Sequence, residues 1–206
     1  MADDTRERLL RAAAEVFAEK GYAAATVREI CTRADANVAL INYYFGDKLE
    51  LYTQVLRDTV AADPPRALEA YGDNPAMVLR GVIGTMLEKA TEAQGRSCLR
   101  YRLMIREFSH PSEATARMIE ITMRPLYDKL RGLVSEMLGL PPGHDKTRLC
   151  VHSLLGQVSH FAHAGPVMAA LWPQMKMTPK QREMITDHIA DTLLVYLRAE
   201  APASRR

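Results

Sequence analysis

The sequence predicts an all-α chain. Runs that alternate apolar and polar residues are nearly absent, whereas apolar residues recur at spacings of three and four almost throughout. The segments marked in this way are separated by Asn, Asp, Gly and Pro at the positions where helices start and stop. With 206 residues, 48% of them hydrophobic, the chain is long enough to bury a core of its own.

The first helix is expected from about Asp4 to Lys20, with Leu9, Ala12, Ala13, Val16 and Phe17 on one stripe and Gly21 as a left-handed stop. Thr26 with Glu29 three residues on has the spacing of a capping box and opens a short helix to about Ala34. Asn37 is an N-cap for a third helix from Val38 to about Phe45. Gly46-Asp47 then restarts the chain into a fourth helix through Leu51, Val55 and Leu56. Three short helices with tight turns and a longer fourth make the layout of a helix-turn-helix module.

Asp63-Pro64-Pro65 and Gly72-Asp73-Asn74-Pro75 interrupt the pattern. Asn74 and Pro75 open a helix to about Ala93, Gly95 ends it, and Ser97 to Ser109 forms the next. Pro111 begins a long helix to about Leu138, which Pro125 should kink or divide by removing a backbone donor. After the Pro141-Pro142-Gly143 loop come two long helices, Asp145 to Ala164 and Pro179 to Ala199. The second has Thr178 and Gln181 as a capping box. His163 to Thr178 reads as a connecting loop, and residues 201–206 as a frayed tail. The expected domains are residues 1–50, a helix-turn-helix domain, and 51–200, a larger helical domain.

Net charge is only +2, so any attraction to a polyanion must be local. Cys31, Cys98 and Cys150 are too far apart for a CxxC site and read as small buried hydrophobes of a reducing compartment. The start MADDTRERLL lacks the basic and apolar regions of a signal peptide, and no run of about 18 apolar residues occurs. A soluble cytoplasmic protein without membrane contact is expected. No Gly-rich phosphate loop, GxSxG elbow or HExxH is present, so neither an enzyme nor a cofactor is expected.

In a helix-turn-helix, the second helix packs one face on the core and presents the other to the major groove. Ala34, Val38, Ile41 and Phe45 recur at four, three and four, which makes them the buried stripe. Asn37, Ala39, Asn42 and Tyr43 then face away. An Asn42 amide suits an adenine edge, and Ala39 allows close approach or contact with a thymine methyl. Tyr43 and Lys48 suit phosphates. Thr26 and Arg28 stand at a helix N-terminus, which favours an anion. The competing reading is a plain helical core or a helical dimer that docks another protein. Residues 1–62 carry 8 Lys and Arg against 10 Asp and Glu, which argues against strong nonspecific DNA affinity.

The stretch ERLLRAAAEVFAEKGYAAATVREICTRADANVALINYYFGDKLELY resembles the DNA-binding domain of the tetracycline-repressor (TetR) family. That pattern has an amphipathic helix ending in FxxxGY, a TxxxI helix, and an aromatic segment closing on lysine. The resemblance implies a dimeric transcription regulator, usually a repressor. Its helical C-terminal domain would bind a small-molecule effector and dimerise through the last two long helices. By position, it implies DNA contacts at Thr26, Arg28, Asn37, Ala39, Asn42, Tyr43, Tyr44 and Lys48. Asn42 stands where the family usually has tyrosine, Asp35-Ala36 where Gly-Val is usual, and Cys31 where Ala is usual. The forms NVALINYYFGDK, REFSHPS and MRPLYDKL are similar to the CecR-like branch.

Further along, Arg96 to Arg148 holds 10 basic residues against 6 acidic ones; solvated faces and internal ion pairs are expected before an anionic effector. Tyr101, Met104, Met123, Tyr127, Phe161 and Trp172 suit the walls of a ligand cavity, although such stripes also make ordinary core. His152, Gly156, His160 and His163 share one helix face. Two histidines are too few for a closed metal site, so His160 is expected to line a pocket or a dimer seam, and no metal is expected. A metal-dependent enzyme at His160 and His163 is the weakest alternative.

Overall fold

The computed structural model describes residues 2–61, 72, 74–91 and 96–201. The expected break at Asp63-Pro64-Pro65, the stop at Gly95, the side chains of Cys98, Tyr101 and His163, and the tail from Pro202 lie outside the described residues.

The all-α reading holds throughout the described residues. Helix α1 (Ala2–Ala24) buries the expected stripe of Leu9, Ala12, Ala13, Val16 and Phe17. Its interruption at Gly21 has φ 78° and ψ 168°, an extended positive-φ conformation rather than the left-handed helical stop expected. That region is essentially closed to residues with a Cβ. In α2 (Val27–Ala34), Thr26 Oγ1 accepts the Glu29 N–H at 3.2 Å. The Glu29 carboxylate pairs instead with Lys20 Nζ at 2.7 Å, so only the Thr26 half of the expected capping box forms. Asn37 Oδ1 accepts the Ala39 N–H at 2.9 Å and starts α3 (Ala39–Phe45), one residue later than the spacing predicted. Asp47 Oδ1 accepts the Glu50 N–H at 2.7 Å at the head of α4 (Lys48–Ala61).

Asn74 Oδ1 likewise caps α5 (Pro75–Thr91), and α6 (Arg96–Ser109) follows. The predicted single helix from Pro111 begins only at Thr115. Ser112 holds the preceding turn, its N–H donating to Thr115 Oγ1 at 2.8 Å. α7 (Thr115–Met118) passes through a π-helical turn, Ile119–Met123, into α8 (Arg124–Leu138). Pro125 falls at the start of α8, directly after the wider turn, which the Arg124 N–H closes on the Ile119 carbonyl. α9 (Asp145–His163) is followed by α10 (Gly165–Leu171), a short helix where a loop was expected, with Pro166 in its first turn. α11 (Pro179–Glu200) has the predicted Thr178–Gln181 capping box.

The chain forms two compact units, Met1–Pro64 with Ala93–Pro125, and Pro65–Glu92 with Leu126–Arg206. In the first, α1 packs on α2, α4 and α6, and α3 packs on α4. Phe17, Ile30, Ile41, Leu51, Leu56, Leu103 and Met118 are fully buried at its centre. Each such side chain contributes about 1.5–3 kcal/mol. Tyr52 packs edge-on to Phe17 at 4.9 Å and to Tyr22 at 5.2 Å. Arg106 of α6 donates from Nε to the Ala18 carbonyl at 3.3 Å and from its terminal nitrogen to the Glu19 carbonyl, closing the end of the α1 helix. In the second unit α5, α9 and α11 pack around Leu79, Ile83, Leu87, Val151, Ile189 and Leu194, joined by Leu130, Val134 and Leu138 of α8. Arg80 of α5 bridges Asp187 and Asp191 of α11.

Candidate nucleic-acid interface

The short α3 is oriented by what lies behind it. Ile41 is inaccessible and Phe45 only 5% exposed, and both join the core made by α1, α2 and α4. Ala39, Asn42 and Tyr43 fall on the opposite side and are exposed, Tyr43 by 78%. One expected member of the buried stripe does not belong to it. Val38, the residue just before α3, is 43% exposed although its backbone is already helical, φ −55° and ψ −35°; at the open end of the helix no preceding turn covers it.

The eight positions implied as DNA contacts lie in one continuous stretch of α2, the turn, α3 and the start of α4, and they differ in what they have free to offer. Thr26 spends its hydroxyl oxygen on the Glu29 N–H but keeps its O–H. Arg28 is exposed in the first turn of α2 and has no carboxylate partner among the described residues. Asn37 uses its carbonyl oxygen to cap α3, so only its amide donor remains. Asn42 makes no side-chain hydrogen bond among the described residues, leaving both halves of its amide available. Tyr44 is half-buried against the core, with the Tyr43 ring edge-on at 4.9 Å. Lys48 Nζ lies 4.4 Å from the centre of the Tyr22 ring, and burial draws its pKa down.

The electrostatics are local, as the near-neutral module requires. Arg33 is forked onto Glu19 at 2.8 and 2.9 Å, with Glu15 at 3.7 Å, and Lys20 is held by Glu29. These pairs neutralise two cations beside α2, so Arg28 and Lys48 are the basic side chains on this surface without a carboxylate partner among the described residues. An open depression over α2 is lined by Thr26, Arg28, Glu29, Thr32 and Arg33. Tyr22 and Glu113, which flank Lys48, were not expected at this surface. They are 91 residues apart, and no local pattern in the sequence joins them.

The residues expected to wall a ligand cavity fall in different places. Met104 and Met123 are half-buried against the core of the first unit. Tyr127 and Phe161 are half-buried against the core of the second. His160 is exposed beside Phe161, with ring centres 5.5 Å apart, and Trp172 is 44% exposed. Among the described residues no three metal-ligating side chains come together. Four of the ten basic residues of 96–148 stand in ion pairs among the described residues: Arg124 with Glu120, Arg131 with Asp128, Lys146 with Glu200 and Arg148 with Asp145. Cys31 and Cys150 are buried, and burial pushes both thiols up. No helix among the described residues is long and apolar enough to cross a membrane.

The pattern of bacterial regulatory proteins of the tetR family matches residues 9–55, and that of the C-terminal domain of the HTH-type transcriptional dual regulator CecR matches 75–200. The HTH-type transcriptional activator FasR of Mycolicibacterium smegmatis is 30% identical over 141 residues, covering 67% of this chain and 62% of FasR, so the match spans less than two thirds of that relative. The CecR dual regulator of Shigella flexneri is 27% identical over 172 residues, 77% of this chain and 76% of CecR. The crystal structure of the regulator FadR from Bacillus subtilis in complex with stearoyl-CoA shares the fold. Its TM-score is 0.62 at 18% identity, over 91% of this chain and 97% of FadR. With one family pattern laid over the α2–α3 surface and the other over most of the remainder, the chain belongs to the TetR family of transcription regulators, in its CecR-type branch.

Proposed function

We propose that this protein is a ligand-responsive repressor that binds a palindromic operator as a homodimer and is released by a small-molecule effector. The observation that carries the reading is the two-sided α3: Ile41 and Phe45 sealed into the core, Ala39, Asn42 and Tyr43 outside. Two copies would present their α3 helices to successive major grooves about 34 Å apart. In the contacts assigned here, Asn42 reads a base edge, while Thr26, Arg28, Asn37, Tyr43, Tyr44 and Lys48 hold the backbone and Ala39 admits close approach. On this reading residues 1–50 read DNA, and residues 51–200 take the effector and dimerise.

The outer faces of α9 and α11 support self-association. Leu149, Met184, Val195 and Tyr196 are exposed there, and among the described residues no side chain or neighbouring helix lies within 4 Å of where a Cβ would stand at Gly156. FadR's stearoyl-CoA makes an amphiphile with a long apolar tail the first effector class to test. Tyr127 and Phe161, half-buried against the core of the second unit, are chemically suited to such a tail. Release follows if the effector binds more tightly to the dimer whose α3 spacing no longer fits the duplex.

Selection of bound fragments from random DNA tests the core of the reading. The expected result is enrichment of an inverted repeat at physiological salt. Recovery of unenriched sequence would instead favour a module that docks protein, which the 8 to 10 charge balance of residues 1–62 would suit.

A further inference from the structure

Lys48 opens α4, and its ammonium is held rather than left to wander in solvent. Nζ lies 4.4 Å from the Tyr22 ring centre and 3.5 Å from the Ala23 carbonyl oxygen, at the limit of hydrogen-bond reach. The Tyr22 ring is itself fixed. It is 5% exposed, stacked on Phe17 with centres 6.1 Å apart, and its hydroxyl donates to Glu113 Oε1 at 2.7 Å. Glu113 stands in the turn before α7, which is anchored in turn by a buried carboxylate. Glu107 accepts the Ser112 hydroxyl at 2.9 Å and the Thr115 hydroxyl at 2.7 Å.

We propose that Glu113, acting through Tyr22, is a positioning residue that sets the Lys48 ammonium for a DNA phosphate. The inference rests on the reading of Lys48 as a DNA contact. Two physical effects run in the same direction. A phenol donating to a carboxylate carries more electron density on its ring, which strengthens its hold on a cation over the face. A lysine already held over that ring also has fewer rotamers to lose when it meets the phosphate. A third effect opposes them, because the Glu113 charge repels the duplex. Removal of the carboxylate therefore distinguishes the cases by sign: loss of positioning weakens binding, and loss of repulsion alone tightens it. The charge also helps keep Lys48 protonated where burial works against it.

The test is a mutant cycle on a selected DNA fragment, with affinity measured against salt concentration and thermal unfolding followed for every variant. Lys48→Met is expected to weaken binding about tenfold and to lower the salt slope by about one. Glu113→Ala and Tyr22→Phe should each weaken it about three- to fivefold, and Glu113→Gln, which keeps an acceptor, by less. In the Lys48→Met background Tyr22→Phe should change nothing, and the two Glu113 variants should show no loss, only the slight gain that relief of repulsion gives. The same losses in that background, or tighter binding by either Glu113 variant alone, would overturn the proposal. A lowered unfolding midpoint with unchanged affinity would reduce Glu113 to a structural role. Lys48→Met without effect on affinity or slope would instead remove the underlying contact assignment.

Discussion

At the scale of single residues, the surface of α3 and the core behind it make separable demands. Asn42→Ala removes both amide groups from a side chain that makes no hydrogen bond among the described residues, so the fold should not register its loss. Binding to a selected operator should fall by about 1–3 kcal/mol, with relaxed preference at one base position. Tyr43→Phe should weaken binding without altering dimerisation, as read by gel shift and light scattering. Two inward positions test the core. The Tyr52 hydroxyl is buried with no hydrogen-bond partner among the described residues, and burial pushes its pKa far up. Because nothing is lost when it goes, Tyr52→Phe should leave the thermal midpoint unchanged or raise it. Gly21→Ala should be costly, about 1–3 kcal/mol in a denaturant melt, because φ of 78° with extended ψ excludes a Cβ. Arg106 Cδ stands only 3.5 Å from where that Cβ would be, an ordinary contact, so the cost is conformational and not a clash.

At the scale of helices, end chemistry was the most legible feature. Thr26, Asn37, Asn74 and Thr178 all cap in the structure as their residue types and spacings required. Thr26→Ala should cost about 1 kcal/mol in a denaturant melt. The inward stripe was legible wherever it lay inside a regular helix, as at Ile41 and Phe45, and failed at Val38, at the open end before α3 where no preceding turn covers the side chain. The departures share a cause. The late start at Thr115, the π turn before Pro125 and the short α10 are set by side-chain bonds and chain connections that periodicity does not encode. Pairings across long separations were invisible for the same reason, as at Tyr22 with Glu113. The Arg33–Glu19 fork joining α2 to α1 carries its own test. Two hydrogen bonds from Arg33 hold the Glu19 carboxyl below its usual range. Stability from that depression is present above the unfolded pKa and is lost as pH falls through the folded one. Arg33→Ala should move the Glu19 titration upward in an NMR pH series.

At the scale of the molecule, self-association and the division of the chain are the issues. If α9 and α11 make the dimer, a charge at Gly156 meets the partner helix, and Gly156→Glu should shift light-scattering mass toward a single copy while leaving helix content unchanged. The compact unit that holds α3 is built from two stretches of sequence. Leu103, Ala114 and Met118 complete its core, and Arg106 closes the end of the α1 helix. A chain ended after residue 61 lacks all four and should show no cooperative melt. Such a dependence sets the rule for grafting. A hybrid sensor made by joining the leading segment of one relative to the trailing segment of another inherits a mismatched floor beneath its reading head. Exchange of the outward side chains at 39, 42 and 43 would leave that floor intact, and operator preference could then be retuned without re-solving the core.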